Sequence, residues 1–218
     1  MALVRHDSRE VQFKIVYCGP AQGGKTTSLQ YIHRRLDPRW RGDLVSLATD
    51  QNRTLSFDFL PMSAMKIAGY RTRFQLYTVP GQDALRETRS SILAGADGVV
   101  FVADSTGERI SRNIQAQEDL FECLMENRIN PASIPIAYQF NKRDLPSAIP
   151  PEELDHALSL RTSAFLSSAT SGYQIFATLD YVTQRSLKGF HGANVEKAGI
   201  APVHRRHVSL KTTVTSCG

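Results

Sequence analysis

The sequence predicts an α/β fold: a mostly parallel β-sheet with helices on both faces. Short β-branched and aromatic runs alternate with amphipathic stretches along most of the chain, the pattern that βα units leave in a sequence. The first run becomes nearly continuous in apolar residues from Ile15, as a strand covered on both faces does. A glycine-bearing loop then separates this run from the first amphipathic stretch, giving strand, loop and helix in that order.

Taken in order, residues 11–18 are the first strand, ending at Gly19-Pro20. Residues 27–36 place Leu29, Ile32 and Leu36 at helical spacing before Asp37-Pro38 stops the helix. Further strands are expected at 55–60, 71–79, 98–104 and 134–140, with a weaker one at 164–166. The intervening helices are expected at 83–93, 108–128, 151–158 and 173–187; the third opens with a proline and the last follows Gly172.

The chain has 218 residues, 41% hydrophobic and 22% charged, which suits a single soluble domain and excludes collagenous, wholly disordered and disulfide-dense classes. No apolar run approaches the roughly 18 to 20 residues of a membrane span, and the charged start MALVRHDSRE does not read as a signal peptide. A cytoplasmic protein is expected. Cys18, Cys123 and Cys217 cannot all pair and show no metal-ligand spacing, so neither a disulfide framework nor a zinc site is indicated.

Residues 1–187 are expected to form the domain, and 188–218 a flexible basic tail without clear periodicity, carrying Lys188, Lys197, Arg205, Arg206 and Lys211 against one acid. These spread cations read as a solvated appendage, so neither nucleic acid nor a membrane surface is expected as partner. Ala2 and the Ser216-Cys217-Gly218 ending fit no lipidation pattern.

Gly19-Pro20-Ala21-Gln22-Gly23-Gly24-Lys25-Thr26 matches G-x-x-x-x-G-K-[ST] between a strand and a helix, followed by Thr27. In such a P-loop, backbone N–H groups turn toward phosphate oxygens and the helix N-terminus adds positive potential. Lys25 bridges the outer phosphates, and the Thr26 hydroxyl ligates Mg²⁺. The loop alone does not separate ATP from GTP.

The strand at 134–140 runs directly into Asn141-Lys142-Arg143-Asp144, at the carboxyl end where open α/β sheets bind ligands. The Asp144 carboxylate can accept from guanine N1–H and N2, donors that adenine lacks. Asn141 can bond the base edge and neighbouring loops, and the Lys142 stem can cover the ring. Ser167-Ser168-Ala169-Thr170 follows the weak strand as a small polar turn. The cofactors expected are therefore GTP or GDP with Mg²⁺. A P-loop kinase or ATPase is disfavoured by Asn141 to Asp144 and by the lack of a second-substrate lid.

With Leu76-Tyr77-Thr78-Val79-Pro80-Gly81-Gln82, the chain resembles the small Ras-like GTPases, although Thr78 and Pro80 depart from the usual Asp-x-Ala-Gly-Gln. Lys14 to Tyr17, Gly19-Pro20, Arg53 to Pro61, Thr72-Arg73-Phe74 and Asn141 to Pro146 narrow the resemblance to the MglA group of bacterial polarity and gliding-motility GTPases, over residues 9 to about 187. The resemblance implies a small-GTPase-like P-loop fold and a molecular switch, monomeric on its own. Gln82 would orient the attacking water, Arg53 would be an arginine finger in cis, and Thr54 would contact Mg²⁺ and the γ-phosphate. Gly81 and Thr78 would lie at the nucleotide, and Ser168 and Ala169 would complete the base site as the Ser-Ala loop of small GTPases. The implied activator is a Roadblock-domain dimer of the MglB type. Ala21 stands where a glycine permits close approach to the γ-phosphate, so slow turnover is expected; Thr78, replacing an aspartate, predicts Mg²⁺ coordination that is weaker or dependent on closure of the first switch. A nucleotide-locked scaffold is the alternative reading. Phe57, Phe59 and Leu60 read as core or as partner surface.

Overall fold

A computed structural model describes residues 2–48, 56–67, 69–79, 86–160 and 162–198. Eight strands, β1 (Leu3–Arg5), β2 (Glu10–Cys18), β3 (Val45–Ala48), β4 (Ser56–Ile67), β5 (Tyr70–Thr78), β6 (Gly98–Asp104), β7 (Ile136–Asn141) and β8 (Phe165–Leu166), form one sheet. Among the described residues, five α-helices, α1 (Lys25–Arg35), α2 (Arg86–Leu93), α3 (Ile110–Glu126), α4 (Pro151–Ala157) and α5 (Ile175–Ala198), accompany them. The strand order is β3-β4-β5-β2-β6-β7-β8, parallel from β5 to β8 and antiparallel at β3, β4 and β5. Short β1 pairs antiparallel with the first half of β2, at residues 10–12, before β6 joins β2 at Ile15.

Alternation along the central strands divides the core. Phe13, Ile15 and Tyr17 of β2, with Val100 and Val102 of β6, face Leu29 and Ile32 of α1 and Leu179 and Val182 of α5. Val16, Cys18, Val99, Phe101 and Phe140 face the other way, against Leu93 of α2, Leu120 and Leu124 of α3 and Leu154 of α4. All seven residues of β6 are buried, as expected of a strand between two helical layers.

Most elements lie within two or three residues of their expected limits, but β4 and α5 extend far beyond them. β4 passes through Pro61 to Ile67 instead of ending at Leu60. The Pro61 carbonyl accepts from Gly42 N at 2.9 Å, so the ring nitrogen, on the same side of the strand, faces beyond the last β3 pair at Val45↔Phe59 and removes no ladder bond. At the other end, α5 continues to Ala198, eleven residues past the expected Leu187 boundary. The flexible tail expected from 188 therefore begins as helix. Phe190 packs edge-on against Phe13, with ring centroids 5.5 Å apart, and so continues the buried spacing of Leu179, Val182 and Leu187. That contact outweighs the cost of Gly189, about 1 kcal/mol for a glycine inside a helix. Residues 199–218 lie outside the described residues.

Candidate nucleotide site

The chemistry-bearing residues collect at the carboxyl ends of β2, β6 and β7. Between Cys18 and Lys25 the chain must turn sharply against the end of β6, and the glycines make this possible. Gly19 has φ +131° and a Cβ there would lie 2.2 Å from the Val102 carbonyl oxygen; at Gly24, φ +105°, it would lie 2.1 Å from Asn141 Nδ2. Gln22 is left-handed as well, at φ +61°. Gly24 caps α1 without any side-chain hydrogen bond, and no acid occupies the first helical turn. The N-terminal N–H groups of α1 thus form an electropositive end with no anionic side chain of their own, as a phosphate requires.

Lys25 is buried, and its Nζ donates to the carbonyls of Gly19 at 2.9 Å and Pro20 at 2.7 Å, so the ammonium lies across the loop. Thr26 is exposed in the first turn of α1, Thr27 half-buried, and Ala21 half-buried in the loop. A hydroxyl beside phosphate oxygens is the hard-oxygen donor set that Mg²⁺ takes while keeping several waters. Among the described residues, no group of three or more His, Cys, Asp or Glu could hold a metal ion.

Asn141 joins this loop to the base segment. Buried at the end of β7, it donates from Nδ2 to Gly23 O at 2.7 Å and accepts at Oδ1 from Ala169 N at 2.8 Å. One side chain thereby ties residues 19–24 to residues 167–170. Asp144 is exposed beside it, and the Ser168 hydroxyl holds its carboxyl below the usual carboxylate range, with smaller help from Thr170 and the Lys142 charge. Thr170 Oγ1 donates to Asp144 Oδ2 at 3.3 Å. An ionised, outward-facing carboxylate is the acceptor that guanine N1–H and N2 need, so the residues present fit a guanine nucleotide. Ser168 and Ala169 are both buried.

Thr78 ends β5 opposite Tyr17 and is buried at 2% exposure. Leu60 is core, and Phe59 is half-buried against Tyr77 at 4.9 Å between ring centroids. Arg53, Thr54, Gly81 and Gln82, and the side chain of Phe57, lie outside the described residues.

Three residues of this region escape the motif reading. Asp104 closes β6 and bonds Lys142, Asn113 clamps the Asp104 backbone, and Arg109 donates to Gln22 Oε1 at 3.2 Å. Asp104 carries a signal in the sequence: it is the one charged residue in the run Gly98 to Asp104, at the ligand-binding end of a parallel strand.

Comparison with known proteins agrees with this geometry. The family model described as Arf, ADP-ribosylation factor family, matches residues 2–191. The chain is 46% identical over 188 residues to the Mutual gliding-motility protein MglA of Myxococcus xanthus (strain DK1622), covering 86% of this chain and 96% of that protein. It is 29% identical over 141 residues to the Ras and EF-hand domain-containing protein of Xenopus tropicalis, covering 65% of this chain and 17% of that protein. Among the described residues, no helix is long and apolar enough to cross a membrane.

Proposed function

The chain belongs to the ADP-ribosylation factor family of small Ras-like GTPases, and within it to the MglA type; on that footing we propose that it is a GTP-hydrolysing switch controlling cell polarity or gliding motility through nucleotide-dependent partner binding. The observation that carries the guanine-nucleotide reading is the Asn141 side chain, bonded to the phosphate loop at Gly23 and to the base loop at Ala169, beside an Asp144 carboxylate kept ionised. One buried side chain thus joins the two loops that would hold phosphate and base.

Gly19, Ala21, Gln22, Gly23, Gly24, Lys25 and Thr27 form the phosphate cradle, and Asn141, Lys142, Asp144, Ser168 and Ala169 the base site. Mg²⁺ would be held by Thr26 and Thr54, where it neutralises phosphate charge. Gln82 orients the attacking water. Arg53 supplies positive charge to the phosphoryl oxygens in cis, an effect worth roughly 10³ to 10⁵ in rate in other systems. The GTP form orders the segments around Thr54 and Gln82, and loss of the γ-phosphate releases them. A Roadblock-domain dimer of the MglB type brings Arg53 and Gln82 into register, and the protein works in the cytoplasm, recruited to a cell pole.

The test is single-turnover γ-phosphate release from GTP with Mg²⁺, alone and with excess Roadblock partner from the same organism. Stimulated release is expected, and Arg53→Ala should remove most of the stimulation while GDP affinity stays unchanged. Retained stimulation in Arg53→Ala excludes that arginine from the mechanism. Ala21 and the buried Thr78 favour the second reading, a nucleotide-locked scaffold; bound GTP that remains intact under both conditions would establish it.

A further inference from the structure

Asp104 is a carboxylate without solvent exposure, at the end of a strand whose other residues are apolar. Burial of a charge is costly unless every lone pair finds a partner, and here both oxygens are occupied. Oδ1 accepts from Thr106 N at 3.1 Å and from Thr106 Oγ1 at 2.9 Å, while Oδ2 accepts from Lys142 Nζ at 2.6 Å. The Asp104 backbone is itself fixed by fully buried Asn113, which accepts from Asp104 N at 2.9 Å and donates to Asp104 O at 2.8 Å.

Lys142 is therefore held at both ends. Its Cα is committed to a left-handed conformation, φ +67°, between Asn141 and Arg143, whose N–H donates to Ser167 O at 3.0 Å. Its ammonium is committed to Asp104, with only the methylene stem between them, and the side chain retains 28% exposure. Lysine ordinarily loses considerable rotamer freedom when a ligand immobilises it; here folding has already removed much of that freedom.

We propose that Asp104 is a positioning residue for the nucleobase. By anchoring Lys142 Nζ, it presents the lysine stem as a fixed apolar wall beside Asp144, against which the guanine ring lies. Thr106 orients the carboxylate and Asn113 fixes the strand end that carries it. This rests on the reading of Asn141 to Asp144 as the base-binding segment.

The experiment measures dissociation of a fluorescent GDP analogue from the full chain in Mg²⁺, together with melting of the nucleotide-free protein. Asp104→Asn keeps an acceptor for Thr106 but loses the ion pair, and Lys142→Met keeps an apolar stem but loses the ammonium. Each single variant should release the analogue about tenfold faster, and the double variant no faster than the worse single, because both changes remove one anchored stem. A merely structural Asp104 predicts a lowered melting temperature with wild-type release, or effects that multiply in the double variant; either result overturns the proposal. Should Asp104→Asn fail to fold, Thr106→Val takes its place: release about threefold faster is expected, with no further effect in the Lys142→Met background, and unchanged release overturns the proposal. A wild-type chain that does not retain the analogue overturns the base-binding reading and this inference together, whereas wild-type retention with an unaltered Asp104→Asn variant overturns this inference alone.

Discussion

Burial pushes the Asp180 carboxyl on α5 up to about 6, and its Oδ1 has no hydrogen-bond partner. As pH rises the unfolded chain ionises first, near the ordinary aspartate value of about 4, while the folded protein keeps its proton until about 6. Folding stability therefore falls across that window and stays lowered above it. Asp180→Asn should raise stability at pH 7.5 by about 1 kcal/mol after allowing for solvent screening, with the advantage vanishing below about pH 4. Denaturant melts at the two pH values measure this, and an advantage independent of pH would refute the titration argument. Ala21 poses a residue-scale question of rate instead. In the proposed site its methyl group would border the space where a γ-phosphate and its attacking groups must converge, so Ala21→Gly should speed single-turnover hydrolysis about two- to tenfold at unchanged GDP affinity. Equal rates, with phosphate release not limiting, would remove Ala21 as the brake.

The helices differ in what holds them. α2 buries Leu93 fully and packs half-buried Ile92 against the same core, and it is further joined to α3 by polar contacts: Arg86 pairs with Glu122 at 2.9 Å and Glu126 at 2.6 Å, Arg89 with Asp119, and Asn127 Nδ2 donates to Ser90 O at 2.9 Å. The Arg86 pairs are exposed and the Arg89–Asp119 pair is half-buried, so all remain open to screening by salt, the exposed ones most, whereas the Leu120 and Leu124 contacts of α3 are not. Amide exchange over residues 86–93 should therefore accelerate in 1 M salt while α3 keeps its protection; equal acceleration of both would show that α2 is held by its apolar contact. α5 is the opposite case, gripping the sheet through Leu179, Val182, Leu187 and Phe190. Ending the chain after Leu187 should cost about 1 to 2 kcal/mol from loss of the Phe190 contact, read as a lowered melting temperature. The same elements show which features are legible in the sequence. The central strands and amphipathic helices were readable because burial on one or both faces imposes a period. The end of α5 was obscured by Gly189 and Gly192, and the continuation of β4 by Pro61, because what tolerates them is a contact distant in sequence. In the candidate site, motif spacing is what points to Lys25, Asn141 and Asp144. Asp104 was missed because its meaning depends on Lys142, thirty-eight residues away.

At the scale of the molecule, the P-loop after β2, the Asn141–Asp144 segment after β7 and the small loop after β8 are bridged by one buried amide, with a backbone bond from Arg143 N to Ser167 O joining the last two as well. Asn141→Ala would leave Gly23 O and Ala169 N without that partner, and a buried backbone group so orphaned costs about 1 to 3 kcal/mol. The nucleotide-free protein should therefore lose about 2 to 4 kcal/mol of stability. Asp144 is exposed and reaches the other loop only through hydroxyls, so Asp144→Ala should melt close to wild type when nucleotide-free. Ligand binding separates the two again. At a hundredfold excess over Kd, GDP should stabilise the wild type by about 2.7 kcal/mol. If Asp144 reads the base as proposed, that gain should nearly disappear in Asp144→Ala, and it should shrink in Asn141→Ala from an already lowered starting point. Melting curves of the three proteins with GDP, with ADP and without nucleotide make the comparison, ADP serving as the nucleotide that satisfies the phosphate loop but not Asp144. Similar nucleotide-free melting in Asn141→Ala and wild type would mean that the sheet alone aligns the loops. A lowered melting temperature for Asn141→Ala alone, with the GDP gain lost in Asp144→Ala, would separate the residue that assembles the site from the residue that reads the base.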